Sequence, residues 1–93
     1  MIASFRDKET ERLWRFGKSR RIPADLERRA FKKLAILNAA VALENLRVPP
    51  GNQLEALRGN CAGQHSVRIN DQYRVCFVWG DGNAFDVEIV DYH

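Results

Sequence analysis

The sequence predicts an α+β fold: two N-terminal helices packed on one face of a four- or five-stranded, mainly antiparallel sheet. Three observations carry this. Leu26, Ala30, Leu34, Leu37 and Val41 recur at spacings of four, four, three and four, which is one helical stripe. Val48-Pro49-Pro50-Gly51-Asn52 then breaks any helix, because adjacent prolines and a glycine cannot continue one. Beyond the break the apolar period changes to two, with short turn signals between the runs. A chain of 93 residues with one such switch is read as one domain, residues 1–93, without internal repeats.

Each element follows from local chemistry. Ile2-Ala3-Ser4-Phe5 is a short first strand. Asp7 caps a helix in which Glu9 and Glu11 favour the N-terminus, Leu13 and Trp14 form an apolar edge, and Gly17 is the stop. Lys18-Ser19-Arg20-Arg21 is a connector. Pro23 suits the first position of the second helix, with Asp25 in its first turn and Phe31 beside the stripe. A helical turn at Leu43–Leu46 precedes the break. Leu54-Glu55-Ala56-Leu57 is a short strand, and Arg58–Gly63 a loop. His65, Val67 and Ile69 alternate with Ser66 and Arg68; Asn70-Asp71 turns the chain. Tyr73, Val75, Phe77 and Trp79 alternate with Arg74, Cys76 and Val78. After Gly80-Asp81-Gly82-Asn83, Phe85, Val87 and Ile89 alternate with Asp86 and Glu88. Runs joined by such short turns form a meander.

Composition narrows the class. The chain is 45% hydrophobic and 29% charged, ordinary globular usage that excludes disordered and low-complexity readings. No apolar run reaches the ~20 residues of a membrane span, so no membrane role is expected. Met1–Asp7 turns charged too early for a signal peptide, and a cytoplasmic location follows, with Cys61 and Cys76 as reduced thiols. The net charge of +3 hides an asymmetry: residues 1–33 hold 11 Lys and Arg against 5 Asp and Glu, and the remainder is net negative. A basic half suits a polyanion such as RNA, or an acidic protein partner, while solvation of helix faces is the plainer reading.

Helices on one face leave the other sheet face for solvent or a ligand. Arg74 should project there, opposite in phase to Tyr73 and Val75. Arg58 lies in the loop after a strand, and Asp91-Tyr92-His93 follows directly from the last strand. Two arginines, a carboxylate, a phenol and an imidazole suit phosphodiester chemistry. Arginine holds phosphate with a planar fork and stabilises developing charge. Histidine moves protons near neutral pH, and tyrosine stacks on bases. On residue types alone, a frayed tail and solvating strand arginines explain the same pattern.

The chain resembles the HigB toxins of bacterial toxin–antitoxin systems, within the RelE-like superfamily. The resemblance lies in Ile2-Ala3-Ser4-Phe5-Arg6, Leu54-Glu55-Ala56-Leu57-Arg58-Gly59, Ser66-Val67-Arg68-Ile69-Asn70, Tyr73-Arg74-Val75 and Asp91-Tyr92-His93. It implies a RelE-like fold and a ribosome-dependent endoribonuclease that cuts mRNA in the A site. It also implies a HigA-like helix-turn-helix antitoxin, with operator DNA reached only through that antitoxin. By position, His93 matches the residue implied in proton transfer, and Asp91 and Tyr92 the acidic and aromatic residues before it. Arg74 matches the arginine implied to hold the scissile phosphate, and Arg58 a basic residue of the Leu-(Lys/Arg)-Gly segment. Arg68, Arg28 and Lys32 are candidate RNA contacts, the last two toward ribosomal RNA.

Two positions depart from the family pattern. Glu55 stands where histidine is common, and Val90 where an acidic residue is common. Glu55 either serves as general base for the 2′-hydroxyl or is an ordinary strand residue, the preferred reading, with the site running on His93. Asp91 and the terminal carboxylate should raise the His93 pKa above its reference of roughly 6.5, which suits a general acid. No cofactor and no metal are expected, because the RNA supplies its own nucleophile and Cys61, His65 and His93 lack structural zinc spacing. Trp14 and Phe16 are expected in the core or against the antitoxin. The rival readings are a non-enzymatic gyrase poison, and a degenerate toxin that only binds antitoxin and represses its operon.

Overall fold

The computed structural model describes residues 1–57 and 63–91. Arg58, Cys61, Tyr92 and His93 therefore lie outside the described residues. Helix α1 spans Lys8–Phe16. Asp7 is extended and its Oδ2 accepts from the Thr10 amide at 3.1 Å, satisfying one of the orphan donors at the helix start. Gly17 ends the helix at φ 77°, a left-handed conformation open to glycine at little cost. Leu13 and Thr10 face inward, and the Ile89 amide donates to Thr10 Oγ1 at 3.0 Å, which ties α1 to the sheet. The connector is held by acidic side chains: Glu9 accepts from the Arg20 amide and Glu27 from the Ser19 amide, at 2.8 and 2.9 Å.

Pro23 starts a 3₁₀ turn, Ala24–Leu26, and helix α2 proper runs Glu27–Ala39. The expected start at Pro23 is thus replaced by a tighter first turn. The stripe holds through Ala30, Leu34 and Leu37, all fully buried. Val41 lies beyond the helix end and is 80% exposed, so it leaves the stripe. Two further 3₁₀ turns, Leu43–Arg47 and Pro50–Asn52, carry the chain to the sheet.

Among the described residues the sheet has four strands in sequence order, all antiparallel: β1 Glu55–Ala56, β2 Gln64–Arg68, β3 Tyr73–Gly80 and β4 Asn83–Asp91. Asn70 Oδ1 accepts from the Gln72 and Tyr73 amides and closes the β2–β3 turn. Asp81 and Gly82 both have positive φ, 52° and 76°, the geometry of a two-residue hairpin turn. Pairing Arg68↔Arg74↔Val90 and Ser66↔Cys76↔Glu88 places these residues on one face. Val67, Val75, Phe77, Val87 and Ile89 occupy the other and meet Leu13, Leu34, Leu37 and Leu46 in the core. Each such buried side chain contributes about 1.5–3 kcal/mol by removal from water.

Two expectations about β4 are corrected. The pairing advances from Cys76↔Glu88 to Val78↔Phe85, so β4 carries one extra residue. Asp86, at φ 52°, absorbs it as a bulge. The alternation therefore slips, and Ala84 rather than Phe85 is buried. The expected first strand is two isolated parallel bridges, Ile2↔Ala84 and Phe5↔Val87, on either side of that bulge. Ser4 Oγ accepts from the Asp86 amide at 2.9 Å, so the N-terminal segment satisfies the backbone that the bulge frees.

Candidate functional site

Arg74 is the centre of the sheet face opposite the helices. That face is not open at this point: Arg74 is 7% exposed, and Ser66 and Cys76 beside it are buried. The expectation of a solvent-facing strand arginine is thus corrected to a buried, fixed one. Its Nε donates to Ser66 Oγ at 2.8 Å, and its Nη2 to the carbonyls of Ser66 and Gln53. Gln53 can offer that carbonyl because its backbone is left-handed, φ 44°, after the 3₁₀ turn Pro50–Asn52. Bonds to a charged donor stabilise by about 1.5–3 kcal/mol each, so the guanidinium plane is held firmly. Its Nη1 makes no hydrogen bond among the described residues and is the edge left for an anion.

A cavity of about 210 Å³ opens beside Arg74 and is lined by Gln53, Glu55, Arg68, Asn70, Asp71 and Arg74. Glu55 Oε2 lies 4.0 Å from Arg74 Nη2, and the Glu55 side chain is 54% exposed. A carboxylate thus stands beside the cation, reachable from solvent. Arg68 Nη2 pairs with Asp71, whose side chain projects fully into water, so that pair offsets little of the local charge. The cavity brings together the fixed Arg74, a second arginine paired with the solvated Asp71, and the accessible Glu55, a set that can grip an oxyanion and accept a proton beside it.

The helices add charge from behind. Lys33 on α2 donates to Asn52 Oδ1, and Asn52, fully buried, donates in turn to the carbonyls of Leu46 and Val48 at 3.2 Å. Burial lowers the Lys33 pKa below its usual value, helped by the nearby cations Arg29, Arg68 and Lys32. Arg28 and Lys32 are exposed on α2, as expected. Ser66, Gln53 and Lys33 were not expected from sequence. Only the alternation of Ser66 with Val67 carried a signal, since it put Ser66 on Arg74's face.

Asp91 falls elsewhere. It pairs with Tyr73, one position out of phase with the Arg74↔Val90 pair, so it belongs to the other side of the sheet at the strand end. Gln72 Nε2 donates to its Oδ2 at 3.1 Å. The expected gathering of Asp91 with Arg74 is therefore not seen. Arg58, Tyr92 and His93, also expected there, fall outside the described residues. His65 lies on the helix face, stacked on Phe77 with ring centroids 6.2 Å apart.

A cavity of about 560 Å³ lies on the helical side between α1 and α2. Trp14 stacks on Phe31 there at 5.3 Å, and Phe16 is 73% exposed at its rim with Arg15 and Arg28. The cavity floor is apolar, and its edge carries Arg15, paired with Glu11, together with Arg28 and Glu27. No described helix is long and apolar enough to cross a membrane.

Comparison with known proteins gives this geometry a context. Residues 3–93 match a family model described as the RelE-like toxin of the type II toxin–antitoxin system HigB. The chain is 46% identical over 87 residues to Toxin HigB-1 of Vibrio cholerae serotype O1, covering 92% of each chain. It is 34% identical over 74 residues to an uncharacterized protein of Haemophilus influenzae, covering 78% of this chain and 73% of that one.

Proposed function

The chain belongs to the RelE-like HigB toxins of type II toxin–antitoxin systems, and we propose that it is a ribosome-dependent endoribonuclease that cuts mRNA in the A site. The observation that supports this is the buried, triply bonded Arg74 beside an accessible Glu55 and a second arginine, Arg68, in one cavity. Arg74 Nη1 grips a non-bridging oxygen of the scissile phosphate and stabilises the charge of the pentacoordinate transition state. A base takes the proton of the ribose 2′-hydroxyl, which attacks phosphorus. The bond to the 5′-oxygen breaks, leaving a 2′,3′-cyclic phosphate, and His93 protonates the departing oxygen. The RNA provides the nucleophile, so no metal-activated water enters.

Glu55 now takes the base role. A carboxylate 4.0 Å from Arg74 Nη2 is close enough to the phosphate seat to take the proton of a 2′-hydroxyl held there, and this supports the base role over that of an ordinary strand residue. Tyr92 stacks on the mRNA, and Arg58 adds a phosphate contact. Asp91, paired with Tyr73, orients the strand end that carries Tyr92 and His93 rather than touching phosphate. Arg28 and Lys32 meet ribosomal RNA. The type II family implies a protein antitoxin, here a HigA-like helix-turn-helix chain that reaches operator DNA, and it contacts Trp14 and Phe16. The toxin acts in the cytoplasm.

Primer extension on mRNA in programmed 70S ribosomes tests this reading. Wild-type protein should cut at the A site only when ribosomes are present, and His93→Ala should not. Absence of cleavage by the wild type, with inhibition of DNA supercoiling, would transfer the chain to the gyrase poisons.

A further inference from the structure

Asn52 is a polar residue that the fold buries completely, although Arg47–Gly51 before it and Gln53 after it are exposed. A buried amide is costly unless its hydrogen bonds are made. Here Nδ2 donates to the carbonyls of Leu46 and Val48, each at 3.2 Å, and Oδ1 accepts from the Lys33 ammonium. Leu46 belongs to the core and Lys33 to α2, so one side chain ties the turn Pro50–Asn52 to both. The Asn52 amide bonds the Pro49 carbonyl at 2.9 Å and the Gln53 amide the Pro50 carbonyl at 3.1 Å, which carries the anchor on to Gln53. Gln53 is left-handed, φ 44°, a conformation that a non-glycine residue keeps when its surroundings impose it. Its carbonyl accepts from Arg74 Nη2. The other two bonds of Arg74 run to Ser66 on the neighbouring strand, so the Gln53 carbonyl is the one that fixes the guanidinium from outside the sheet.

We infer that Asn52 is a positioning residue for the reaction: it fixes where the Gln53 carbonyl points, and through that carbonyl the direction in which Arg74 Nη1 meets the scissile phosphate. Asn52 touches no substrate and acts through Gln53 and Arg74. Lys33 keeps the amide the right way round, with Oδ1 toward α2 and Nδ2 toward the two carbonyls, because an ammonium can only donate. The effect on rate rests on the nuclease reading above, whereas the link from Asn52 to Arg74 is a property of the free protein.

The test compares wild type with Asn52→Asp, which keeps the acceptor for Lys33 and turns a carboxylate oxygen toward the Leu46 and Val48 carbonyls. The first readout is rotation about the Arg74 Nε–Cζ bond, followed by ¹⁵N NMR of the guanidinium in the intact protein. Separate Nη1 and Nη2 signals are expected in the wild type, and a merged signal in Asn52→Asp. The second is single-turnover mRNA cleavage on programmed ribosomes. The maximal rate should fall about ten- to hundredfold, the scale of a misplaced group, with the half-saturating ribosome concentration unchanged. Lys33→Met removes the Lys33 bond and keeps both carbonyl bonds; it should move both readouts the same way by less, and it decides the matter if Asn52→Asp does not fold. Wild-type rotation and maximal rate in a folded variant of lower Tm would assign Asn52 to stability and overturn the inference. A raised half-saturating concentration with the maximal rate kept would overturn it too. Absence of cleavage by the wild type would remove the nuclease reading, and the rotation readout would still uphold or overturn the link to Arg74.

Discussion

On α1, Arg15 reaches Glu11 at 2.8 Å with 63% of its side chain in water; on β3, the Arg74 side chain is 8% exposed and bonded by three groups. The helical cations are solvated, so each contributes Coulomb attraction and little geometry. The sheet cation has lost its water and gained a fixed plane. Under the proposed function, affinity for a polyanion would be spread over many helix residues, whereas alignment with a reacting phosphate would depend on one. Lys33 lies between the two regimes, half-buried on a helix yet tied to the turn that holds Arg74.

The largest break in this contrast comes from Arg74→Lys. An ammonium keeps the charge but cannot meet Ser66 Oγ, the Ser66 carbonyl and the Gln53 carbonyl in one plane. Single-turnover mRNA cleavage on ribosomes should fall about 10²–10³-fold, in line with loss of a transition-state charge donor. Denaturant unfolding should show about 1–3 kcal/mol lost, because buried acceptors are left unmet. Ser66→Ala follows. It frees Nε and should cost about 1–2 kcal/mol of stability and roughly tenfold in cleavage, while ribosome affinity stays constant.

On the helical side the effects should be smaller and of another kind. Arg28→Glu with Lys32→Glu should weaken ribosome binding and make log K less steep against log salt. The cleavage rate at saturating ribosomes should not change. If that rate fell as far as in Arg74→Lys, the division between regions would fail. Phe16→Asp, at the rim of the α1–α2 cavity, should lower antitoxin affinity in calorimetry and leave cleavage untouched. Smallest is Gly17→Ala: at φ 77° it should lose about 1–2 kcal/mol through a strained left-handed alanine, visible as a lower Tm with unaltered activity.

What was legible in the sequence follows the same division. Asp7 and Gly17 cap α1 as read, and the two turns fall at Asn70-Asp71 and Asp81-Gly82, because caps and turns are set by local chemistry. The buried stripe of α2 was legible from spacing, but Val41 was not excluded, because nothing local marks Ala39 as the end. The bulge at Asp86 gave no glycine signal, so Phe85 was placed inward and Ala84 overlooked. The face of Arg74 was correctly phased, yet its burial depends on Gln53 and Ser66 arriving from two distant segments, which alternation does not encode. Asp91 was expected near the arginines only because it follows the last strand, and its pairing with Tyr73 puts it on the other face from Arg74. Lys33 looked like one more solvated cation, and only its bond to Asn52 separates it from its neighbours.

The division of labour is tested most directly by single-turnover cleavage of mRNA over a range of programmed-ribosome concentrations. Wild type, Arg74→Lys and Arg28→Glu with Lys32→Glu would be compared. We expect Arg74→Lys to lose the maximal rate and keep the half-saturating concentration. We expect the helix double variant to raise the half-saturating concentration and keep the maximal rate. A maximal rate in Arg74→Lys equal to the wild type would contradict the account, since the buried arginine would then take no part in the chemistry.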